Sequence, residues 1–376
     1  MIASNKKIGI LGGGQLGAML LKSAIDFGVD IAVLDKSKEV NSAKYTANFT
    51  IGDTLNYDDV YNFGKGLDII TIEMEAVNVA ALKALEKEGV KIFPSPNTIE
   101  IIQDKYHQKT FLQDHNIPVA KGWSVEGLEE IKEHIAALPL CLKKRRDGYD
   151  GNGVMMLRSE QDVAEAFVQP SVLEECVDIK HEISVIVARN EQGNIVCFDP
   201  VMMVFDPEKY LLDYQLAPAS IPEELYNKTQ ELATQVAKAI ELVGVLAVEM
   251  FVSKDGALLV NELAPRPHNS GHHTIEAATT SQYEQLLRAI TGSPLGSTTL
   301  NMKSVLVNIL EPNEKDREKV YESLNNLLGM ERVHLHWYGK KPSKEGRKMG
   351  HIVVTDEDID AAMLKAETIR KMIKTK

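Results

Sequence analysis

The chain has 376 residues, of which 44% are hydrophobic and 26% charged, and this composition predicts a globular protein with two or three domains. A formal net charge of −12 argues against general affinity for nucleic acid, and no apolar run reaches the length of a membrane span. The chain enters a strand without a secretory signal, so we expect a cytoplasmic protein, and the isolated Cys141, Cys176 and Cys197 argue against a disulfide framework.

Residues 7–98 alternate apolar strands with amphipathic helices. The predicted strands are residues 8–11, 31–34, 68–72 and 90–93. This alternation predicts a doubly wound parallel sheet, because parallel neighbours need a helical crossover between them. Pro94-Ser95-Pro96 breaks the pattern, so we predict an N-terminal parallel α/β domain over residues 1–98.

A glycine-rich loop follows the first predicted strand. Gly12-Gly13-Gly14-Gln15-Leu16-Gly17 opens a helix and Asp35 ends the second strand, which fits the fingerprint of dinucleotide-binding proteins. An NAD-dependent oxidoreductase is therefore one candidate function. The loop itself requires only close backbone approach and amides that face an anion, so another phosphorylated ligand or a purely structural turn also fits it.

Four consecutive cations precede a second glycine-rich segment. Lys143-Lys144-Arg145-Arg146 leads into residues 148–153, where three of the six residues are glycines. Glycines let backbone amides surround phosphate oxygens while cations neutralise their charge, so we expect a triphosphate site with residues 148–153 as a closing lid. A basic surface run is the alternative. Further along, residues 174–177 are placed to contact an adenine edge and Glu182 to hold a ribose.

Two glutamates face each other in a predicted hairpin. Asp255-Gly256 separates two apolar strands, and a two-residue loop there would pair Glu249 with Glu262. Like charges opposite each other in apolar strands need a counterion, and a Mg²⁺ ion that also binds substrate phosphates would supply one, with Asn261 adding an oxygen. The alternative is an ordinary hairpin whose glutamates point into water or pair with Arg266. A loop longer by one residue would break this register.

A second group of basic residues follows the hairpin. Arg266 and His268 come directly after it, and Lys340 and Arg347 lie in the C-terminal tail. Residues from two predicted domains would thus converge on the phosphate of a second substrate. A zinc site on the histidines of residues 268–273 is an alternative.

The remaining chain divides at Pro294-Leu295-Gly296. We predict a middle domain over residues 99–298, with a helix over 227–242, and a small C-terminal α/β domain over residues 299–376. The C-terminal domain is expected to contain strands near 305–307 and 351–354 and two helices.

Taken in order, these features resemble the ATP-grasp superfamily. Within it, the loop at 12–17, the run at 145–151, the motif Asn261-Glu262-Leu263-Ala264-Pro265-Arg266-Pro267-His268-Asn269-Ser270-Gly271-His272 and the run at 347–351 resemble the 5-(carboxyamino)imidazole ribonucleotide synthetases. The resemblance covers nearly the whole chain. It implies an ATP-grasp fold with an N-terminal pre-ATP-grasp domain and a small C-terminal domain.

The resemblance also implies roles for individual residues. ATP would be bound by Lys105, Lys143, Gly148, Asp150, Gly151, Gly153, Glu174, Glu175, Val177, Glu182 and Asn261. The ribonucleotide would be bound by Gln15, Leu16, Arg266, His268, Asn269, Lys340 and Arg347. Glu73, Tyr149 and Lys348 would lie near bicarbonate as catalytic residues, and Glu249 and Glu262 would bind Mg²⁺ or Mn²⁺.

The implied reaction joins bicarbonate to aminoimidazole ribonucleotide, with cleavage of ATP to ADP and phosphate through carboxyphosphate. The partners would then be small molecules, without nucleic acid or membrane, and the family implies a homodimer. The alternatives are a formate-dependent glycinamide ribonucleotide transformylase of the same fold, the NAD-dependent oxidoreductase, and a catalytically silent ATP-binding subunit.

Two features complicate the assignment of roles. Residues 200–206 lack a histidine that family members usually carry near the ATP phosphates, and Asp206 or Lys209 would be its substitutes. Glu73 ends the third predicted strand, at the edge where parallel sheets bind ligands. Glu73 and Glu75 could instead cap a helix that begins near Val77.

Overall fold

The computed structural model describes residues 6–148, 153–205, 212–341 and 344–373. These residues form three sheets with helices packed against them. Among the described helices, none is both long enough and apolar enough to cross a membrane. The three cysteines are free and half-buried.

The first sheet is parallel throughout, as predicted. Its strands, in the spatial order β3-β2-β1-β4-β5, are β1 (Ile8–Leu11), β2 (Ile31–Asp35), β3 (Phe49–Ile51), β4 (Ile69–Ile72) and β5 (Lys91–Ile92). The crossovers include α1 (Gln15–Asp26), α2 (Tyr57–Gly64) and α3 (Val79–Lys87). The sequence analysis missed β3, a three-residue edge strand that is largely exposed and therefore carries little apolar signal.

Asn78, rather than a glutamate, caps α3. The side-chain oxygen of Asn78 accepts a hydrogen bond from the backbone N–H of Ala81 at 2.9 Å. The alternative reading of Glu73 and Glu75 as helix caps is therefore wrong, and both carboxylates are available for other contacts.

The second sheet is antiparallel and small. Its strands, in the order β6-β9-β7-β8, are β6 (Gly122–Val125), β7 (Leu140–Lys144), β8 (Val154–Leu157) and β9 (Ser171–Glu175). Before and beside it lie the helices α4 (Pro96–Ile102), α5 (Lys105–Asp114), α6 (Leu128–Lys132) and α7 (Glu160–Ala164).

The third sheet is the largest of those in the described residues and crosses the predicted boundary at residue 298. Its strands are β10 (Ile179–Arg189), β11 (Ile195–Cys197), β12 (Val201–Phe205), β13 (Leu212–Ala217), β14 (Gly244–Ser253), β15 (Leu258–Ala264), β16 (Lys303–Leu310), β17 (Val333–Trp337) and β18 (Lys348–Asp356). Because β13 pairs with β16, the C-terminal strands share backbone hydrogen bonds with the middle segment. The two tail strands near 305 and 351 are confirmed.

Helices cover this third sheet. They are α8 (Glu223–Ala239), α9 (Thr274–Ala277), α10 (Gln282–Thr291), α11 (Arg317–Leu327) and α12 (Ile359–Ile373). The two tail helices are confirmed. The helix predicted over 227–242 is α8, which begins and ends a few residues earlier. Its earlier start places Glu223 and Glu224 in the first turn, where acidic residues are favoured by the positive end of a helix.

The β14–β15 hairpin pairs Glu249 with Glu262, but not through the predicted loop. Ser253 pairs with Ala257, so the loop has one more residue than expected, with Gly256 at φ +91°. A bulge between Glu249 and Met250 then restores the register. The predicted facing of the two carboxylates is confirmed, while the predicted two-residue loop is wrong.

A candidate active site between the two antiparallel sheets

A buried ion cluster joins the two antiparallel sheets. The Glu174 carboxylate, on β9, accepts from Lys109 Nζ at 2.8 Å through Oε1 and from Lys143 Nζ at 2.8 Å through Oε2. Lys143 also donates to Asn261 Oδ1, on β15, at 2.9 Å. The two lysines lower the pKa of Glu174 despite its burial, and the pKa of Lys143 is raised by Glu174. The structure thus brings three of the predicted ATP residues together and adds Lys109.

The four predicted phosphate cations do not act alike. Arg145 Nη2 contacts Asp104 Oδ2 at 2.7 Å, and Arg146 Nε lies 3.5 Å from the same oxygen. Asp104 also accepts from the backbone N–H groups of Tyr106 and His107, at the start of α5. Arg145 thus anchors the N-terminus of α5 and so positions Lys105, the half-exposed Arg146 lies further from Asp104, and a role of these cations at phosphates stays a prediction.

Lys105 reaches the predicted metal pair. Its ammonium group contacts Glu262 Oε1, so Glu262 pairs with Lys105 and the alternative pairing with Arg266 is wrong. Across the ladder, burial raises the pKa of Glu249 to about 8, and the nearby Glu262 and Glu182 carboxylates add to this rise. Glu249 is thus a half-buried carboxyl group whose raised pKa Lys105 and Lys348 only partly offset.

This arrangement fits a hard divalent cation. Two carboxylates with one strongly raised pKa form a site that a positive charge would stabilise, and Mg²⁺ commonly uses one or two carboxylates while substrate phosphates and water complete its shell. Within the described part of the chain, no three His, Cys, Asp or Glu side chains form a metal cluster. That finding gives no support to the zinc alternative, and it is compatible with a metal bound largely through substrate oxygens.

The predicted ribose residue Glu182 lies near both Lys143 and Glu249. Glu182 lies on β10, two residues before Ser184, which pairs with Glu249. Burial raises the pKa of Glu182 to about 7, which Lys143 only partly offsets. In the connection from β9 to β10, the Glu175 side chain contacts Lys121 Nζ at 2.7 Å, and the Glu175 backbone N–H donates to the Lys121 carbonyl at 2.9 Å.

The lid lies partly outside the described residues. Tyr149, Asp150 and Gly151 belong to the undescribed segment 149–152, as do Asp206 and Lys209 to the segment 206–211. Gly148 precedes the first of these segments and is half-buried. Gly153 follows it and has φ +85°. A positive φ requires little strain only in glycine, which agrees with a tight turn at Gly153.

The glycine loop at α1 already holds an anion. The backbone N–H of Leu16 donates to Glu73 Oε1 at 3.2 Å, and a Cβ atom added at Gly14 would come within 2.4 Å of that oxygen. Asp35 accepts from the backbone N–H groups of Gly13 at 2.8 Å and Ser37 at 3.2 Å. The Glu73 carboxyl therefore occupies the place where a dinucleotide would put its pyrophosphate, while Asp35, the acidic residue that a dinucleotide site would use for the ribose, already accepts from two backbone N–H groups.

Glu73 is also linked to the second cationic group. Burial raises its pKa to about 7, while the nearby Arg266 guanidinium lowers it. Arg266 Nε lies 2.9 Å from Glu75 Oε1. His268 Nε2 lies 3.4 Å from Glu249 Oε1, and burial together with Arg266 lowers the pKa of His268 to about 3, so this imidazole is neutral.

The C-terminal residues approach from β18. Lys348 begins this strand. Its positive charge lies near enough to His268 to contribute to the lowered pKa of that ring, and near enough to Glu249 to oppose part of the rise in the pKa of that carboxyl. Lys340 Nζ donates to the backbone carbonyl of Lys348 at 3.1 Å. Arg347 is held through its backbone carbonyl, which accepts from the N–H of Glu311 at 2.7 Å. The C-terminal segment thus approaches the segment after the hairpin at Lys348, while the joint binding of one phosphate by Arg266, Lys340 and Arg347 stays a prediction.

Sequence reasoning missed several of these contacts. Lys109, Asp104 and the Glu75 side chain have structural partners within the site. One signal was available, because a lysine at position 109 lies one helical turn after Lys105 and on the same face of α5. The partners of Asp104 and Glu75 are distant in sequence, and no local pattern indicates them.

Comparison with known proteins agrees with this geometry. The chain matches three domain families, namely the ribonucleotide synthetase preATP-grasp domain over residues 5–103, the ATP-grasp domain over 110–283 and the phosphoribosylaminoimidazole carboxylase C-terminal domain over 304–365. It is 37% identical to the N5-carboxyaminoimidazole ribonucleotide synthase of Bacillus subtilis, covering 94% of this chain and 92% of that protein.

Solved structures give the same result. An N5-carboxyaminoimidazole ribonucleotide synthetase from Thermotoga maritima is 40% identical with a TM-score of 0.89, covering 98% of this chain and 99% of that one. An N5-carboxyaminoimidazole synthase from Aspergillus clavatus, in complex with ADP and 5-aminoimidazole ribonucleotide, is 30% identical with a TM-score of 0.89 over 98% and 99% of the two chains.

Some relatives are longer. The chain spans 65% of the chloroplastic phosphoribosylaminoimidazole carboxylase of Vigna aconitifolia and 36% of the bifunctional purine synthesis protein of Dictyostelium discoideum. The predicted ATP-grasp fold, with its N-terminal parallel-sheet domain and C-terminal domain, is confirmed. The chain belongs to the N5-carboxyaminoimidazole ribonucleotide synthetase family of ATP-grasp ligases.

Proposed function

We propose that this protein catalyses the ATP-dependent carboxylation of 5-aminoimidazole ribonucleotide by bicarbonate in purine biosynthesis. The product is 5-(carboxyamino)imidazole ribonucleotide, formed together with ADP and phosphate. The observation that carries the proposal is the convergence of an ATP-grasp ion cluster around Glu174 with a second cationic group around Arg266, on either side of the Glu249–Glu262 pair.

The first half of the cleft suits ATP. Lys143 and Lys105 would neutralise phosphate oxygens, and each is now held by a carboxylate that the nucleotide could displace or share. The backbone at 175–177 would meet the adenine edge, and Glu182 would accept hydrogen bonds from ribose hydroxyls. Residues 148–153 remain our predicted lid, which would keep water from a reactive phosphorylated intermediate.

We propose Mg²⁺, with Mn²⁺ as a substitute, as the metal held by Glu249 and Glu262. When bound, such an ion would stabilise the charge that develops on the transferring phosphoryl group. Asn261 is less suited to the metal than the two carboxylates are, because its side-chain oxygen already accepts from Lys143. We keep Asn261 as a nucleotide contact.

The second half of the cleft suits bicarbonate and the ribonucleotide. Arg266, Lys340 and Arg347 would bind the ribonucleotide phosphate, and Gln15, Leu16 and Asn269 would contact other parts of the ribonucleotide. The neutral His268 would orient the substrate through hydrogen bonds without adding charge. Glu73, whose pKa burial raises to about 7, can hold or release a proton at its carboxyl group at neutral pH, and Lys348 and Tyr149 would act with it on bicarbonate. Bicarbonate would become carboxyphosphate, and either this species or the carbon dioxide it releases would react with the amine.

The competing functions differ in what the site must bind. An NAD-dependent oxidoreductase needs an open anion site at the start of α1, where Glu73 already accepts from Leu16. A formate-dependent glycinamide ribonucleotide transformylase would use the same ATP contacts and so differs only in the second half of the cleft. A silent ATP-binding subunit, prompted by the altered segment 200–206, predicts binding without turnover.

The test measures ADP formation by the purified protein with ATP, Mg²⁺, bicarbonate and 5-aminoimidazole ribonucleotide. We expect ADP formation that requires the ribonucleotide or is strongly stimulated by it, and that is lost when Mg²⁺ is removed. Stimulation by formate with glycinamide ribonucleotide instead would overturn the proposal, and so would nucleotide binding without turnover. A cytoplasmic location, a homodimer and the domain boundaries at 98 and 298 remain predictions from the sequence.

A further inference from the structure

Three histidine rings form a stacked column beside the site, hereafter the histidine column. The ring of His351, on β18, lies between those of His336, on β17, and His272, which follows the predicted substrate segment 266–269. Ring centroids are 4.4 Å apart for His336 and His351, with planes 8° apart, and 4.5 Å apart for His351 and His272, with planes 19° apart. His272 and His351 are completely buried.

One end of the column reaches the N-terminal domain. Tyr283, on α10, is fully buried and its hydroxyl lies 3.0 Å from His272 Nδ1. The same hydroxyl contacts Met19 Sδ, on α1, at 3.2 Å. The column is therefore tied by direct contact to the helix whose first residues are the predicted substrate contacts Gln15 and Leu16.

The other end is tied within the C-terminal strands and back to α9. Tyr338 Oη lies 2.7 Å from His351 Nδ1, and His336 Nε2 lies 2.8 Å from Glu276 Oε1. His336 and His351 are also direct partners in the β17–β18 ladder. Backbone pairing, ring stacking and side-chain hydrogen bonds thus define one geometry at this end.

The column is a costly way to fill a core. Among the described residues, Nε2 of His272 and Nε2 of His351 are buried with no hydrogen-bond partner. Unpaired buried polar atoms oppose folding, and apolar side chains of the same size would avoid that cost. Burial and the neighbouring histidines lower the pKa of the His272 and His351 rings well below the ordinary value. Stability alone does not account for these residues.

Each of the three segments linked through the column also carries a predicted ribonucleotide contact. Met19, which Tyr283 links to the column, follows Gln15 by four residues on α1, His272 follows Asn269 by three, and His351 follows Arg347 by four. The three segments come from different parts of the chain. The column is where they contact one another.

We propose that the histidine column is a positioning device, which sets the distances between the three segments that bind the ribonucleotide without itself touching the substrate. This inference rests on the proposed function, because it takes the second half of the cleft to be the ribonucleotide site. The ATP contacts at Lys143, Glu174 and Glu182 lie on β7, β9 and β10, which carry no column residue. A shift of the column should therefore alter ribonucleotide binding selectively.

The test compares KM values for the ribonucleotide and for ATP in His351→Ala and His351→Phe. Removal of the central ring should raise the ribonucleotide KM roughly 10- to 100-fold and leave the ATP KM within about twofold, since misplacement of about 1 Å has effects of this order. Phenylalanine restores a flat ring of similar volume, so it should return the ribonucleotide KM to within about fivefold of the wild-type value. His334→Ala is the matched control, because His334 lies on β17 with His336 but outside the stack.

Tyr283→Phe tests the same inference with a smaller change. Loss of one hydroxyl removes the link from His272 to Met19, and we expect the ribonucleotide KM to rise roughly 3- to 10-fold with an unchanged ATP KM. Three outcomes would overturn the inference. They are equal rises in the KM values for the ribonucleotide and for ATP, a fall in kcat alone in proportion to the folded fraction, and the same rise in the ribonucleotide KM in His334→Ala. A wild-type protein that shows neither ribonucleotide-dependent turnover nor ribonucleotide binding would overturn the proposed function and this inference together. Normal wild-type turnover with unshifted variants would overturn the inference alone.

Discussion

Replacement of Glu249 by glutamine should make the metal-free protein more stable and the enzyme inactive. The pKa of Glu249 is raised from an ordinary value of 4.5 to about 8, chiefly by burial and then by Glu262 and Glu182. Between these two pH values, the Glu249 carboxyl is protonated in the folded state and ionised in the unfolded state. Stability in the wild type is lost as the pH rises through this range, because folding must then take up a proton.

The size of the effect follows from the shift. A pH of 7 is about 2.5 units above the ordinary pKa of this carboxyl in the unfolded chain. This difference corresponds to an upper bound of about 3 kcal/mol of lost stability. The Glu249 side chain is still 21% exposed, so solvent lowers this value, and we expect about 1–3 kcal/mol. Glutamine keeps the shape and cannot ionise. Its advantage should be near zero at pH 4.5 and complete by pH 8, equivalent to a rise in Tm of a few °C.

The assay is thermal unfolding of both proteins in the presence of a chelator, at several pH values from 4.5 to 8. Other groups near Glu249 also titrate, including Glu182 and His268, so the difference between wild type and variant is the quantity to follow. In parallel, ADP formation at saturating Mg²⁺ should fall by about 100-fold or more, as expected when a metal ligand at the phosphoryl group is lost.

Glu262→Gln provides the contrast. Glu262 faces Glu249 but contacts Lys105 and is 46% exposed, so its loss should bring no comparable gain in stability as the pH rises. ADP formation should fall in this variant too. A pH-independent Tm difference for Glu249→Gln would refute the burial argument, and near-normal ADP formation in both variants would remove the metal site from the proposal.

Three further predictions concern the rest of the cleft. The substitution Glu73→Gln should lower kcat/KM about 100-fold. Burial raises the pKa of this carboxyl to about 7, so the pH–rate profile should lose the part of its acid limb near pH 7 that comes from Glu73. A pH–rate profile identical in shape and height to that of the wild type would contradict this. Glu182→Gln should raise the ATP KM roughly 5- to 10-fold with kcat little changed, as expected for the loss of charged hydrogen bonds to a ribose, and steady-state kinetics with varied ATP would detect it. Mg·ADP at about 100 times its Kd should stabilise the protein by about 2.7 kcal/mol in thermal unfolding. NAD should have no effect, because Glu73 fills the anion position at the start of α1. Stabilisation by NAD alone would support the oxidoreductase function instead.

Local patterns in the sequence were enough for the parallel sheet apart from β3, and for the tail elements apart from the strand β17. Strand and helix periodicities differ, so β1, β2, β4 and β5 could be recognised without knowing their partners. The motif around Glu262 indicated a metal pair next to a phosphate clamp because the residues that carry the chemistry are close together in the chain. The facing of Glu249 and Glu262 was predicted correctly although the loop was not, since the added loop residue and the bulge offset each other.

Tertiary structure decided which charges meet. Arg145 and Arg146 look like phosphate cations in the sequence, yet they contact Asp104, some 40 residues away, and only packing determines that distance. The glycine loop at α1 has the form of a dinucleotide site, and it is the burial of Glu73 against it that excludes this use. The histidine column has no local signal at all, because its rings come from three separate segments. Short-range preferences act within a few residues, whereas the pKa of a carboxyl or the partner of a cation depends on burial and distance, which exist only in the folded chain.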